Sequence, residues 1–255
     1  MKRLGFYLLR IYLGFLAWVV IKRCQPIVIG IAGTTNKTFT KQAIEQALIA
    51  RNISTSSTTH NFNTDIGIPL TILDLPSGYN SYQRWLGIIP QALVKAVARS
   101  LPPVLILELG ISHPGDAEHL SHIIQPDMLV ITDITQRYRE NFGDINNLSK
   151  EYRKLVEKVS KKGLVILNYD TMIVKDLAKY CQAKFLFFSL QDFENSREDI
   201  YFVKKWQESV TGQNFEIFSP QKNQPVCISR YGKHHVRSLL ASKIVMDSIE
   251  KYIKP

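Results

Sequence analysis

Short, unbroken apolar runs alternate along this chain with longer stretches whose apolar positions recur three and four residues apart. The runs are Ile27 to Ile31, Val104 to Glu108, Met128 to Thr132, Leu164 to Asn168 and Phe185 to Ser189. A run that is apolar on both faces and only about five residues long suits a strand inside a parallel sheet; a surface strand would alternate. Among the longer stretches, Leu148, Tyr152, Leu155, Val156 and Val159 share one helical face, with Lys150, Lys154, Lys158 and Lys161 largely on the other. Strands that alternate with helices predict an α/β fold built on a doubly wound, mostly parallel sheet, whose ligands gather at the carboxyl ends of the strands. The polar run Ser54 to Thr59 reads as a loop.

The first stretch has a different pattern. Leu4 to Ile21 is apolar except for Arg10, with Lys2-Arg3 before it and Lys22-Arg23 after it. Its length lies at the lower edge of what spans a bilayer, about 17 to 25 residues. Arg3, Arg10 and Ala17 recur at seven-residue spacing, a narrow polar stripe for the interface, with Phe6, Leu9, Leu13 and Leu16 turned toward lipid. The expected division is a membrane-associated helix over residues 1–25 and one domain over 26–255, with a helix packed on the domain as the alternative. No small-residue cleavage site follows, so a cleaved secretory signal is not expected.

The richest local signal is PIVIGIAGTTNKTFT, residues 26–40, where a strand enters a small-residue loop that ends in Lys37-Thr38 ahead of a helix. Gly33, Thr34 and Thr35 keep the loop backbone accessible, so its N–H groups and the helix N-terminus can face phosphate oxygens. Lys37 adds a mobile positive charge, and Thr38 a hydroxyl for Mg²⁺. Asn36 stands where such a P-loop normally has glycine. Asparagine is the side chain that best tolerates a left-handed backbone there, although it competes for phosphate space. Glu108 and Asp133 fall at or near the ends of two further strands.

Composition narrows the choice of partners. A net charge of +10 invites nucleic acid, yet the lysines are spread over helix faces without an aromatic-rich ribbon, so no nucleic acid is expected. A solvated face, or attraction to an anionic membrane surface, is the preferred reading. Cys24, Cys181 and Cys227 are widely spaced and form no CxxC pair, which suits free thiols in a reducing compartment. His60, His119 and His122 lack zinc-ligand spacing with an acidic partner.

Four segments, read together, resemble the Mur ligase family. They are GTTNKT (33–38), HNFNTDIGIPLTIL (60–73), LILELGISHPGDAEHL (105–120) and GKHHVRSLLAS (232–242), with QPDMLVITDI, NFGD and GLVILNYD in register between them. The similarity covers about residues 26–245 and lies in the central, ATP-binding domain. It is strongest to the branch that joins D-alanyl-D-alanine to a UDP-muramoyl tripeptide. The resemblance implies an ATP- and Mg²⁺-dependent ligase of peptidoglycan precursor synthesis, in which the γ-phosphate passes to a carboxylate and an amine then displaces it. It also implies roles for individual residues. Lys37, Glu108 and His113 would be catalytic, with Thr38 and Glu108 on the metal. Gly33, Thr34, Thr35, Asn36, Lys37, Thr38, Asn168 and Asp170 would lie against the nucleotide.

Some family positions are altered. Tyr152 stands in register with the family's carbamylated lysine, which holds a second Mg²⁺, and Tyr138 with a histidine upstream of it. The family's Gly-x-His-Asn reads Gly232, Lys233, His234, His235 here, and Ser238 replaces a later asparagine. Family members also carry a UDP-substrate domain before this one and an amino-acid-binding domain after it, which this sequence, ending at Lys254-Pro255, does not include. Two functions are therefore expected as alternatives: a ligase chain that works with a partner supplying those domains, or a membrane-tethered nucleotide-binding or scaffolding module without turnover. Either would act at the cytoplasmic face of the membrane, where ATP is available.

Overall fold

The structure, a computed structural model, describes residues 2–58, 62–79, 81–194 and 198–253. His60 and Asn61, at the head of one family-like segment, Thr59 of the polar run, and Lys254-Pro255 lie outside the described residues. The strands are β1 (Ile27–Ala32), β2 (Thr55–Ser57), β3 (Val104–Leu109), β4 (Met128–Ile131), β5 (Leu164–Asn168), β6 (Lys184–Ser189), β7 (Ile200–Ser209), β8 (Gly212–Phe218) and β9 (Gln224–Ile228). The helices are α1 (Lys2–Cys24), α2 (Lys37–Ala50), α3 (Gly67–Leu73), α4 (Tyr82–Ala98), α5 (Asp116–Ile123), α6 (Arg139–Phe142), α7 (Ile145–Lys158), α8 (Met172–Asp176) and α9 (Lys233–Ser248).

The nine strands among the described residues form one sheet in the order β2-β3-β1-β4-β5-β6-β7-β8-β9. Neighbours are parallel from β2 through β7, and β8 and β9 extend the sheet as an antiparallel meander. Alternate residues of each central strand enter different cores, as the pleat requires. Val28, Leu105, Leu107, Leu129, Val165 and Leu167 pack under α1, α3, α4, α5 and α7, whereas Ile29, Ile31, Ile106, Val130 and Ile166 pack under α2 and α9. Helices on both faces of a mostly parallel sheet make the doubly wound expectation correct. The chain leaves β1 toward β3 on one side and reaches β4 on the other, so the crevice at the carboxyl end of β1 is the topological switch point.

The five expected strands are present, each within one residue of its expected bounds, because full burial wrote them as continuous apolar runs. Three differences have physical causes. Ser54 to Thr59 is not wholly loop: Thr55–Ser57 pairs in parallel with Val104, Leu105 and Ile106 as a half-exposed edge strand, where polar side chains are tolerated. The α7 helix ends at Lys158, so Val159 caps it and Lys161 lies in the following turn, although the buried face of Leu148, Tyr152, Leu155, Val156 and Val159 is as expected.

The third difference concerns α1, whose rotation is not the expected one. Leu13, Ala17 and Val20 are fully buried against the domain and Leu16 nearly so, while Arg10 forms an ion pair with Asp65 at 3.0 Å. Arg10 and Ala17 of the expected stripe are thus turned toward the protein, as are Leu13 and Leu16, while Phe6 faces out as expected together with Tyr7, Leu8, Ile11, Phe15 and Trp18. A helix apolar on nearly every side gives periodicity nothing to choose between. Here an ion pair and the shape of the core make the choice.

Candidate functional site

The strands meet at one level, with Ile31 beside Glu108, Ala32 beside Ile131 and Ile131 beside Leu167, so their carboxyl ends share one rim. From that rim the chain turns through residues 33–36 into α2. Gly33 takes φ +142°, and a Cβ there would sit 2.0 Å from Thr132 Oγ1, so the position admits only glycine. Asn36 is left-handed, with φ 63° and ψ 4°, which fits the residue type chosen at that point of the loop. Its side chain gives α2 no capping hydrogen bond, and the first turn of α2 holds no acidic residue. The N-terminal backbone of a 14-residue helix therefore meets the rim without a side-chain anion on it.

The end of β4 clamps the loop. Thr34 donates to the Asp133 carbonyl through its N–H at 2.7 Å and its hydroxyl at 3.1 Å, and Thr132 Oγ1 donates to the Thr35 carbonyl at 2.6 Å. The Asp133 carboxylate gathers the rest: Asn36 Nδ2 at 3.1 Å on one oxygen, and Asn168 Nδ2 and Thr171 Oγ1, each at 2.8 Å, on the other. The Asn36 side chain is thereby held back on Asp133. Asn168 is fully buried and acts as a strut within this network.

On the β3 side, Glu108 is 3% exposed and accepts from Thr38 Oγ1 at 3.2 Å. Lys41 Nζ lies 3.1 Å from its other oxygen and also donates to the Thr58 carbonyl at 2.5 Å. Lys37 Nζ donates to the Gly33 carbonyl at 2.7 Å, curled over its own loop. Burial lowers the Lys37 pKa from the ordinary lysine value; Glu108 opposes that shift and Arg137 adds to it. Hard oxygens from Thr38 and Glu108 in one place are the donor set a Mg²⁺ ion prefers, and the cradle around Gly33 suits phosphate. Lys41 already supplies Glu108 with a positive partner.

Other expected residues lie elsewhere. Asp170 is tied to structure: it accepts from Ser189 Oγ at 2.5 Å and pairs with Arg237 of α9 at 3.2 Å. His113 is exposed on the loop after β3, its ring 3.1 Å from Ser112 Oγ and its backbone N–H donating to Asp116 at 2.8 Å. Behind it, Glu151 accepts from the N–H groups of Gly115 and Ala117, each at 3.1 Å, and so closes the start of α5. Tyr152 beside it is fully buried, its hydroxyl has no hydrogen-bond partner, and burial pushes its pKa well above the ordinary phenol range. Lys154 turns back to Glu151 at 2.7 Å.

Three residues carry signals that sequence reasoning left unused. Lys41 lies one helical turn beyond Lys37 and hence on the same face, toward Glu108. Asp133 was visible only as a strand-end carboxylate. Phe39, in the first turn of α2, packs against His234 and His235 at 4.7 and 5.0 Å between ring centroids. Burial, then His234 and Arg230, hold the His235 pKa below its ordinary value. The Phe39 and His235 rings border a cavity of about 490 Å³ between α2, α9 and β9, lined also by Arg230 and Ser238 among others.

A glycine-turned loop at the switch point, a lysine and threonine opening α2, and a carboxylate on the next strand are the arrangement by which an α/β domain can receive phosphate. The Mur ligase middle domain, as a family, matches residues 88–246, and the chain belongs to it. It is 24% identical over 240 residues to the UDP-N-acetylmuramoyl-tripeptide–D-alanyl-D-alanine ligase of Haemophilus influenzae, a match that covers 91% of this chain and 45% of that one. The corresponding enzyme of Bacillus subtilis is 27% identical over 233 residues, covering 89% and 42%. The chain thus spans less than half the length of these relatives. Among solved structures, MurF from Acinetobacter baumannii superposes with a TM-score of 0.75 at 20% identity, covering 94% of this chain and 47% of that one. MurF from Thermotoga maritima in complex with ADP does so with a TM-score of 0.72 at 21% identity, covering 93% and 49%.

Proposed function

We propose that this chain binds Mg²⁺-ATP at the residue 33–38 loop and serves ligation of an amino acid or peptide to a muramoyl-type carboxylate. The observation that carries the reading is the convergence of Lys37, Thr38 and Glu108 beside the left-handed turn at Asn36. Lys37 would swing from the Gly33 carbonyl onto phosphate, and Thr38 with Glu108 would hold the ion. The bound ion and nucleotide supply an activated phosphoryl group and neutralise its charge. Phe39, His234 and His235 offer ring surfaces for a base. His113, exposed on the β3–α5 loop, is available to the acceptor substrate, while Asn168 and Asp170 support the nucleotide side through Asp133 and Arg237. We place the chain at the cytoplasmic face of the membrane, with residues 1–25 as its attachment and 26–255 as the nucleotide domain.

A second reading, nucleotide binding without turnover, is favoured by one residue. Tyr152 stands where the resemblance puts the lysine that holds a second metal, and it is sealed in apolar surroundings. Calorimetry of the full chain with Mg²⁺-ATP, wild type against Lys37→Ala, tests binding. A loss of about tenfold or more is expected, since a charge-assisted phosphate contact contributes about 1.5–3 kcal/mol. Equal heats would end both readings. Turnover of ATP with muramoyl peptide and D-alanyl-D-alanine, in wild type and in Tyr152→Lys with bicarbonate, separates the two.

A further inference from the structure

Most of the large apolar side chains that this protein exposes are gathered on two helices. Of the 19 among the described residues, six lie on α1 and five on α4. On α4 they are Leu86, Ile89, Leu93, Val94 and Val97, exposed by 38–73%, while Ile88, Ala92 and Ala96 face the core. The two helices are in contact, with Tyr12 Oη donating to the Ile89 carbonyl at 2.9 Å and the Arg23 guanidinium to the Ala96 carbonyl at 3.3 Å. Their outward stripes therefore adjoin along one side of the domain.

The charges on these helices indicate what covers that side. Neither α1 nor α4 contains an aspartate or glutamate, and together they carry Lys2, Arg3, Arg10, Lys22, Arg23, Arg84 and Lys95. Arg10 and Lys95 are paired with Asp65 and Asp74, but a second copy of the same face would still set Lys22, Arg23 and Arg84 against their equivalents with no acidic side chain on either helix. An anionic lipid surface answers both features, with acyl chains for the side chains and headgroups for the basic ends. Trp18, stacked on Phe15 at 6.1 Å and 5.9 Å beneath Lys22 Nζ, is the amphipathic ring-and-cation pair that headgroup depth favours. The α1 helix also has its inner face committed. Leu13, Ala17 and Val20 are fully buried in the domain, so a bilayer-spanning α1 would have to open that core.

We propose that α1 and α4 form one docking surface that lies in the plane of an anionic bilayer, with the nucleotide domain held flat against the membrane. This rests on the membrane location proposed above and adds α4 to it. The test is co-sedimentation of the full chain with vesicles of phosphatidylcholine, alone or mixed with phosphatidylglycerol. Wild type is expected on the mixed vesicles, to be released by salt and by alkaline carbonate. Leu93→Glu with Val97→Glu, both at exposed positions, is expected to weaken binding about tenfold or more. If that variant binds as well as wild type while Phe15→Glu does not bind, the membrane location stands and the two-helix surface falls. Absence of wild type from both kinds of vesicle would overturn both ideas. Resistance to carbonate would mean a spanning α1, and lipid-free self-association abolished by Leu93→Glu would mean an interface between copies; either overturns the proposal.

Discussion

The two ends of the strand rim are built by different means. On the β1–β4–β5 side, polar groups from distant segments converge on Asp133, which accepts from Asn36, Asn168 and Thr171 while its backbone holds Thr34. On the α5–α7 side, the corresponding depth is filled by Tyr152, whose hydroxyl finds no partner, and by Glu151, spent on closing a helix start. A satisfied buried network specifies one geometry, whereas an orphaned polar atom only costs. The β1–β4–β5 side thus has an arrangement that polar function requires, and the α5–α7 side has the character of packing.

The comparison can be broken most severely at Lys41. Its removal in Lys41→Ala leaves Glu108 buried without its cation, and a destabilisation of about 3–5 kcal/mol is expected in urea unfolding. Lys41→Met with Glu108→Gln should recover much of that loss. A mild effect of the single change would mean that Glu108 reaches solvent. Next in size, Asp133→Ala strands the Asn168 amide and frees the loop, with an expected loss of about 3 kcal/mol and weaker ATP binding in the same preparation. On the other side of the rim the sign reverses: Tyr152→Phe should stabilise by about 1 kcal/mol, because it removes an unpaired buried hydroxyl. A loss of stability there would show that the hydroxyl does have a partner, and the contrast between the two sides would fail. The smallest effect is expected from Asn36→Gly. Glycine relieves the left-handed strain, the Asp133 contact is lost, and the net change should stay within about 0.5 kcal/mol.

What the sequence made legible follows the same division. The parallel strands could be read to within a residue because complete burial leaves no polar interruption, and the loop could be read because Gly33, Lys37 and Thr38 are local to it. The antiparallel meander β7 to β9 could not be read, since β7 is buried at one end and exposed at the other and β9 is short and largely exposed. Asp133 was hidden for another reason. Its partners lie 97, 35 and 38 residues away, so no local window contains its role. The face that α1 buries was misread because its outcome depends on Asp65, far along the chain. Lys41 was within reach, since four residues along a helix from Lys37 is the same face.

The hub at Asp133 also orders events in time. It joins segments that cannot meet until β1, β4 and β5 have paired, and such long-range closures are entropically costly before they are rewarded. The expected order is that the loop assembles late in folding, after the rate-limiting barrier, which comparison of refolding and unfolding rates of Asp133→Ala with wild type checks. A nucleotide that recognises only the finished loop would leave the refolding rate of this chain unchanged and slow its unfolding, so that bound ATP lengthens the lifetime of the native protein without hastening its birth.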